Sequence, residues 1–319
     1  MFFECKKLNI SSECIDHFKN LAKFAKEKNT KQLNEELSKH SKDESPLLNL
    51  MKKKKLEKIF NNNTNDDDKY VYLTGQSACL KTTILNKLRD DFHLLRVSRS
   101  TAGSFAGKSK NATQKTNLIL SLLNALKHEY VIGDRGFIDN MLWEILMPIF
   151  ESKFDANDDV EQFLFWFVGN FNEHVISFLL YMQKPIILLD SNFNENKERL
   201  LKRGQAGDYQ RARINCYESK QFLYYYFMAY LFGWPKFLLK YNNCSNNLDM
   251  DYFENYIYKN IYLEIAACKK NLKNFNEKDL EILEKSYNEK IKKLNKTTIA
   301  AAGNYCQDMS WAKSVSIYK

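Results

Sequence analysis

A short apolar run, Tyr70-Val-Tyr-Leu-Thr74, stops at Gly75, and after five intervening residues stand Lys81, Thr82 and Thr83, followed by Ile84, Leu85 and Leu88 at helical spacing. No other stretch constrains the fold as much. A buried strand, a tight turn and a helix whose first N–H groups face the turn make a cradle for an anion. Within it lie Gln76, Ser77, Ala78, Cys79 and Leu80. The spacing is that of a phosphate-binding loop, in which the lysine reaches the β- and γ-phosphates and the first hydroxyl serves Mg²⁺. Such loops place a glycine directly before the lysine, where this chain has Leu80, and Ala78 stands at another position where glycine is common.

A looser match, Ala102 to Ser109 with Lys108, has a poorer setting. Arg96-Val-Ser-Arg99 makes a weak buried strand before it, and Lys110-Asn-Ala-Thr-Gln-Lys is polar where a helix should bury its first turn. Context decides between motif matches, so the Gly75–Thr83 loop is the preferred site. The second reads more simply as a basic loop.

The elements after the first loop alternate. Strands are expected near 70–74, 94–98, 129–133, 185–190 and 236–241. Helices are expected near 82–90, 112–127, 137–150, 158–182, 195–203 and 210–232. This predicts an α/β fold, a P-loop NTPase-type parallel sheet of about five strands covered by helices on both faces. Asn61 to Asp68 is a polar linker, so residues 1–60 read as a helical N-terminal extension, 69–260 as the main domain and 261–319 as a helical C-terminal extension.

Candidate chemistry recurs at the predicted strand ends, where open parallel sheets bind ligands. After the second strand comes Arg99; after the third, Asp134-Arg135; after the fourth, Asp190 leads to Arg199, Arg203, Arg211 and Arg213. A strand-terminal Asp can hold a metal, and an adjacent arginine a phosphate. Arginines on a mobile helical hairpin suit closure over a transferring phosphoryl group. Taken singly, Asp134-Arg135 could be a structural ion pair, and Arg199 and Arg203 a solvated helix face.

In this order, the features resemble the thymidylate kinase and deoxynucleoside kinase group of P-loop phosphotransferases over residues 69–260 or so. Lys81-Thr82-Thr83, Asp134-Arg135 and Arg199-x-x-x-Arg203 carry the resemblance. It is nearest in character to the divergent thymidine-kinase-like proteins of large arthropod DNA viruses, which suits a chain this rich in Asn, Lys, Ile and Tyr. The resemblance implies ATP and Mg²⁺ at the loop from Gly75 to Thr83, with Thr82 on the metal and Asp134 in its outer shell. It implies Arg135 on a deoxynucleoside or deoxynucleotide acceptor, and Arg203, Arg211 and Arg213 closing over the donor. Phe163 and Trp166 would offer a base-stacking face and Gln162 a base-edge partner, although a helix this apolar also reads as core.

After the second strand, deoxynucleoside kinases place a glutamate that takes the hydroxyl proton, whereas this chain has Val97-Ser-Arg99-Ser-Thr101. General-base help is worth ~10²–10⁴-fold for a neutral hydroxyl. A monophosphate acceptor is already anionic and needs it less, and Arg99 suits binding its phosphate. The expectation is thymidine- or thymidylate-kinase-like phosphoryl transfer. The alternative is a pseudo-kinase with a degraded loop, acting as a viral structural or interaction protein.

Charge and composition bound the rest. The net charge of +9 admits nucleic acid as a third reading, but much of the excess is local, as in Lys52 to Lys55. The longest apolar stretch, Phe222 to Trp234, is too short to span a bilayer. Seven cysteines without paired spacing and no N-terminal leader pattern predict a reducing, cytoplasmic setting, the host-cell cytoplasm for a viral protein. Oligomeric state stays open, a homodimer included.

Overall fold

The central strand β1 (Tyr70–Gly75) is buried along its whole length, and its side chains divide between two cores. Tyr70 and Tyr72 face one apolar cluster, Val71 and Leu73 the other. In the computed structural model, which describes residues 10–39, 46–47, 69–92, 96–99, 131–136, 138–139, 156–171, 173–205, 207–242 and 247–268, β1 lies within a parallel sheet. The sheet also holds β2 (Arg96–Arg99), β3 (Val131–Asp134), β4 (Gln183–Leu189) and β5 (Lys236–Leu238). Its order is β2-β3-β1-β4-β5, every neighbouring pair parallel. Tyr72 pairs with Gly133 on one side and Pro185 on the other. β4 repeats the alternation of β1: Ile187 and Leu189 point to the first cluster, Ile186 and Leu188 to the second. A strand hydrophobic at every position belongs to a sheet covered on both faces.

The first face is covered by α1 (Ser12–Lys26), α2 (Thr30–Lys39), α4 (Ala156–Asn170), α5 (Glu173–Met182) and α8 (Tyr217–Phe232). α1 has the marks of a self-sufficient helix: the Ser11 side chain caps Cys14 N–H, Glu13 sits in its first turn and Lys23 and Lys26 in its last. Its apolar stripe, Cys14, Ile15, Phe18, Leu21, Ala22 and Ala25, is buried. The expected N-terminal extension is therefore helical here and built into the main core. Phe18 meets Phe227 of α8 with ring centroids 4.1 Å apart. α8 is apolar nearly all round, and every residue of it but Tyr230 is buried, as a helix without a polar face must be.

The opposite face carries α3 (Lys81–Phe92) and a helical run near the end of the described chain. That run comprises α9 (Met250–Tyr252), a π-helical stretch Phe253–Tyr258 and α10 (Lys259–Cys268). It buries Phe253, Ile257, Ile261 and Ile265. Lys87 of α3 pairs with Glu254 and sits 4.4 Å over the Tyr258 ring. Between β4 and α8 lie α6 (Phe193–Arg203) and α7 (Asp208–Arg213).

Two expected helices are each broken. The stretch 158–182 divides after Asn170, and 210–232 divides at Ile214–Cys216, where Cys216 takes a left-handed backbone. β5 ends at Leu238, three residues short of the expected end. The helix expected at 112–127, most of that at 137–150, the linker 61–68 and the second loop candidate with Lys108 lie outside the described residues. Among the described residues, no helix is long and apolar enough to cross a membrane.

Candidate functional site

After β1 the chain goes to β2 and β3 on one side, then to β4 and β5 on the other. The carboxyl end of β1 thus lies where the winding reverses, the place where an open parallel sheet leaves a crevice. Gly75 is there. Its φ is +123°, and an added Cβ would stand 2.0 Å from the Leu188 carbonyl oxygen of β4. No other residue fits this turn.

From Gly75 the loop runs through Gln76 to Leu80 and enters α3 at Lys81. Ala78 (φ 58°) and Leu80 (φ 55°) both take the left-handed backbone that favours glycine. The two positions at which the sequence departs from a glycine-rich loop are therefore the two whose conformation asks for glycine. Leu80 packs partly on the second core cluster and also lines the cavity beside the loop.

Side chains from α6 and α8 hold the loop from behind. Gln76 Nε2 donates to the carbonyls of Asp190 (3.2 Å) and Glu218 (3.0 Å), and Gln76 Oε1 accepts from Asp190 N–H. Ser77 N–H donates to Gln221 Oε1 (2.9 Å), and Ser77 Oγ shares a hydrogen bond with the Tyr217 hydroxyl (3.1 Å). Asn196 Nδ2 donates to Ser77 O at 3.0 Å and Arg199 Nε to Ala78 O at 3.1 Å. The Arg199 bond fixes the strained residue directly.

Lys81 curls back under the loop. Its Nζ donates to the carbonyls of Gly75 (3.1 Å) and Gln76, which orient the ammonium without neutralising it. Burial, then the nearby Arg135 charge, lower its pKa to about 8. At pH 7 the cationic form still predominates. The buried Cys79 thiol beside it is pushed up to about 12, chiefly by burial and then by the Asp190 charge, so it stays neutral.

In front of the loop opens a cavity of about 460 Å³. Ala78 to Thr83 form its floor, Asp134 and Arg135 one wall, and Arg199, Lys202, Arg203 and Gln205 the other. Five of these residues are cationic, and Asp134 is the one carboxylate among them. The first turn of α3 adds N–H groups that no helical carbonyl satisfies. Three of the five are paired with buried carboxylates behind the lining, Arg135 with Asp139, Arg199 with Asp190 and Arg203 with Asp208. The positive excess therefore rests mainly on Lys81, Lys202 and the helix N–H groups, which suit an anion.

Of the arginines expected to act together, Arg203 and Arg211 share one carboxylate, while Arg199 has another. Arg199 binds Asp190 Oδ2 and the Tyr241 hydroxyl, which itself donates to Asp190 at 2.6 Å. Burial raises the Asp190 pKa, and the Arg199 charge and the Tyr241 hydrogen bond oppose it. Arg203 forks onto the buried Asp208 carboxylate (Nε–Oδ2 2.9 Å, Nη2–Oδ1 2.8 Å), and Arg211 reaches the same carboxylate at 3.3 Å. Arg213, at the end of α7, is exposed and outside the cavity lining. Arg99 ends β2 in register with Asp134.

The expectation of a base-stacking face on α4 is corrected. Phe163 has no exposed surface and packs between Tyr224 and Phe227, at ring-centroid distances of 5.1 and 5.3 Å. Trp166 packs on Phe171, and Gln162 is exposed. None of the three lines the loop cavity. Sequence reading also missed residues that shape the site: Asp139, Asn196, Asp208, Tyr217, Gln221 and Tyr241. Only Asp208 left a trace, a Gly207-Asp208 pair just after Gly204.

No protein-family model matches the chain, and no curated protein or solved structure does.

Proposed function

We propose that this chain is a P-loop phosphotransferase that moves the γ-phosphoryl group of ATP to a deoxypyrimidine nucleoside or its monophosphate. One observation carries the reading. A buried Lys81 lies beneath a glycine-turned loop at the carboxyl end of the central strand, beside a cavity lined by five basic side chains. The strand order, with its winding reversal at β1, supports a P-loop NTPase-type fold. In this reading Lys81 and the loop hold the donor phosphates, Arg135 on the facing wall touches both the transferring phosphoryl group and the acceptor, and Arg203 and Arg211 exchange Asp208 for phosphate oxygens as α6 and α7 close, with Arg213 at their edge. Positioning and charge stabilisation do the catalytic work.

Thr82 and Asp134 offer oxygen donors within the one cavity, a donor set suited to Mg²⁺. The ion, when bound, neutralises charge on the β- and γ-oxygens. A second reading is a binding protein on the same fold that no longer turns over. The left-handed Ala78 and Leu80, with Leu80 lining the cavity, favour it.

Calorimetry of ATP·Mg²⁺ with wild type and Lys81→Ala decides first. Micromolar binding lost in the variant, followed by phosphorylation of thymidine or dTMP, supports the transferase. Binding without transfer supports the second reading. Full binding and activity in Lys81→Ala would remove this loop from consideration.

A further inference from the structure

We infer that Asp139 is the positioning residue that sets the Arg135 guanidinium at the cavity and locks its place to that of the loop. This rests on reading the cavity as a phosphate site. Asp139 is 1% exposed, and a carboxylate so deeply buried needs several donors to remain. It has four, from three parts of the fold. Thr74 Oγ1 of β1 donates to Oδ1 at 2.7 Å, and Tyr225 of α8 donates to the same oxygen at 2.8 Å. Arg135 Nη1 approaches Oδ1 at 3.4 Å, and Gly136 N–H donates to Oδ2 at 2.8 Å.

The placement of those donors matters more than their number. Thr74 immediately precedes Gly75, so one oxygen atom joins the root of the loop to the arginine on the facing wall. The turn that carries Arg135 is held hard against β1. Arg135 has φ 72° and its N–H donates to Leu73 O at 2.9 Å. Gly136 lies under the Tyr72 ring, where a Cβ would meet ring carbon at 2.5 Å. A non-glycine residue kept left-handed in a turn this tightly packed is strain of the sort that collects at functional sites. With one guanidinium nitrogen near Asp139, the side chain stays 25% exposed and lines the cavity.

A carboxylate that served only as a nearby charge would behave in the opposite way. Removing it would leave the cavity more positive and tighten binding of an anion. A positioning role predicts weaker binding, because the fork loses its aim.

The test is calorimetry with tripolyphosphate, which probes the cavity whether or not transfer occurs. Four proteins are needed: wild type, Asp139→Asn, Arg135→Ala and the double variant. Asp139→Asn is expected to weaken binding about tenfold. In the Arg135→Ala background it should have no further effect, since its action passes through that side chain. Tyr225→Phe removes one donor to Asp139 away from the cavity and should weaken binding by about twofold to threefold; it carries the test if Asp139→Asn does not fold. Unchanged or tighter binding in Asp139→Asn overturns the inference, as does an equal loss with and without Arg135. A wild type that does not bind tripolyphosphate overturns both the inference and the phosphate-site reading. Tripolyphosphate binding with the expected pattern, but no transfer to thymidine or dTMP, upholds Asp139 and removes only the transferase.

Discussion

At the scale of single residues, the loop sets one glycine that cannot be replaced beside two positions that would tolerate glycine better than what they hold. Gly75→Ala drives a Cβ into the Leu188 carbonyl and should cost at least about 2 kcal/mol, read from urea unfolding. Ala78→Gly should do the reverse. Relief of the left-handed backbone, about 1–2 kcal/mol, meets the added chain entropy of glycine, about 0.5–1 kcal/mol, so a gain of up to about 1.5 kcal/mol is expected. Ala229→Gly, in the buried interior of α8, serves as the control and should lose at least about 1 kcal/mol, since a packed methyl goes with the helix propensity. Equal losses at Ala78 and Ala229 would show that the loop does not hold the left-handed turn in solution. The absent glycines were visible in the sequence. That Arg199 hydrogen-bonds Ala78 O and supports the strained turn was not, because the two residues are 121 positions apart.

At the scale of elements, α6 and α7 form a hairpin closed by Asp208. Burial opposes ionisation of this carboxyl, but the Arg203 fork and charge, the Gln205 N–H and the Arg211 charge hold its pKa below the usual carboxylate range. A folded-state pKa below the unfolded value, about 3.9, contributes stability that is present above that pH and lost as pH falls through the folded value. Asp208→Asn should therefore flatten the acid limb of the stability curve below about pH 4, compared by urea unfolding at pH 7 and pH 3. An acid limb as steep as that of wild type would assign it to other carboxylates. The alternation of elements from residue 70 onward was legible because each strand is a short apolar run and each helix has its own period. The partners of the arginines were not, since spacing along α6 does not reveal which carboxylate the turn after Gly204 brings back. Phe163 misled for a related reason: an aromatic-rich helix gives the same pattern whether it walls a pocket or fills a core.

At the scale of the whole molecule, residues expected to form an appendage help to form the main core. Phe18 is fully buried against Phe227, and His17 bridges Glu36 and Tyr226 through hydrogen bonds of 3.0 Å each. Phe18→Ala should lower stability by about 3–5 kcal/mol, and a chain starting at residue 61 should show no cooperative thermal transition by circular dichroism. A truncated protein melting like the full chain would make α1 dispensable. Nothing in the linker-like run Asn61 to Asp68 pointed to this, because polar composition marks a break in the chain and not a break in the core. The same contact bears on synthesis. His17 and Tyr226 are 209 residues apart, so at ordinary elongation rates roughly 10 to 40 s pass between their emergence from the ribosome. Through that interval α1 can pack only on α2 and, later, on α4, so part of its apolar stripe waits exposed until α8 arrives, a window in which chaperones that shield apolar helices would bind it.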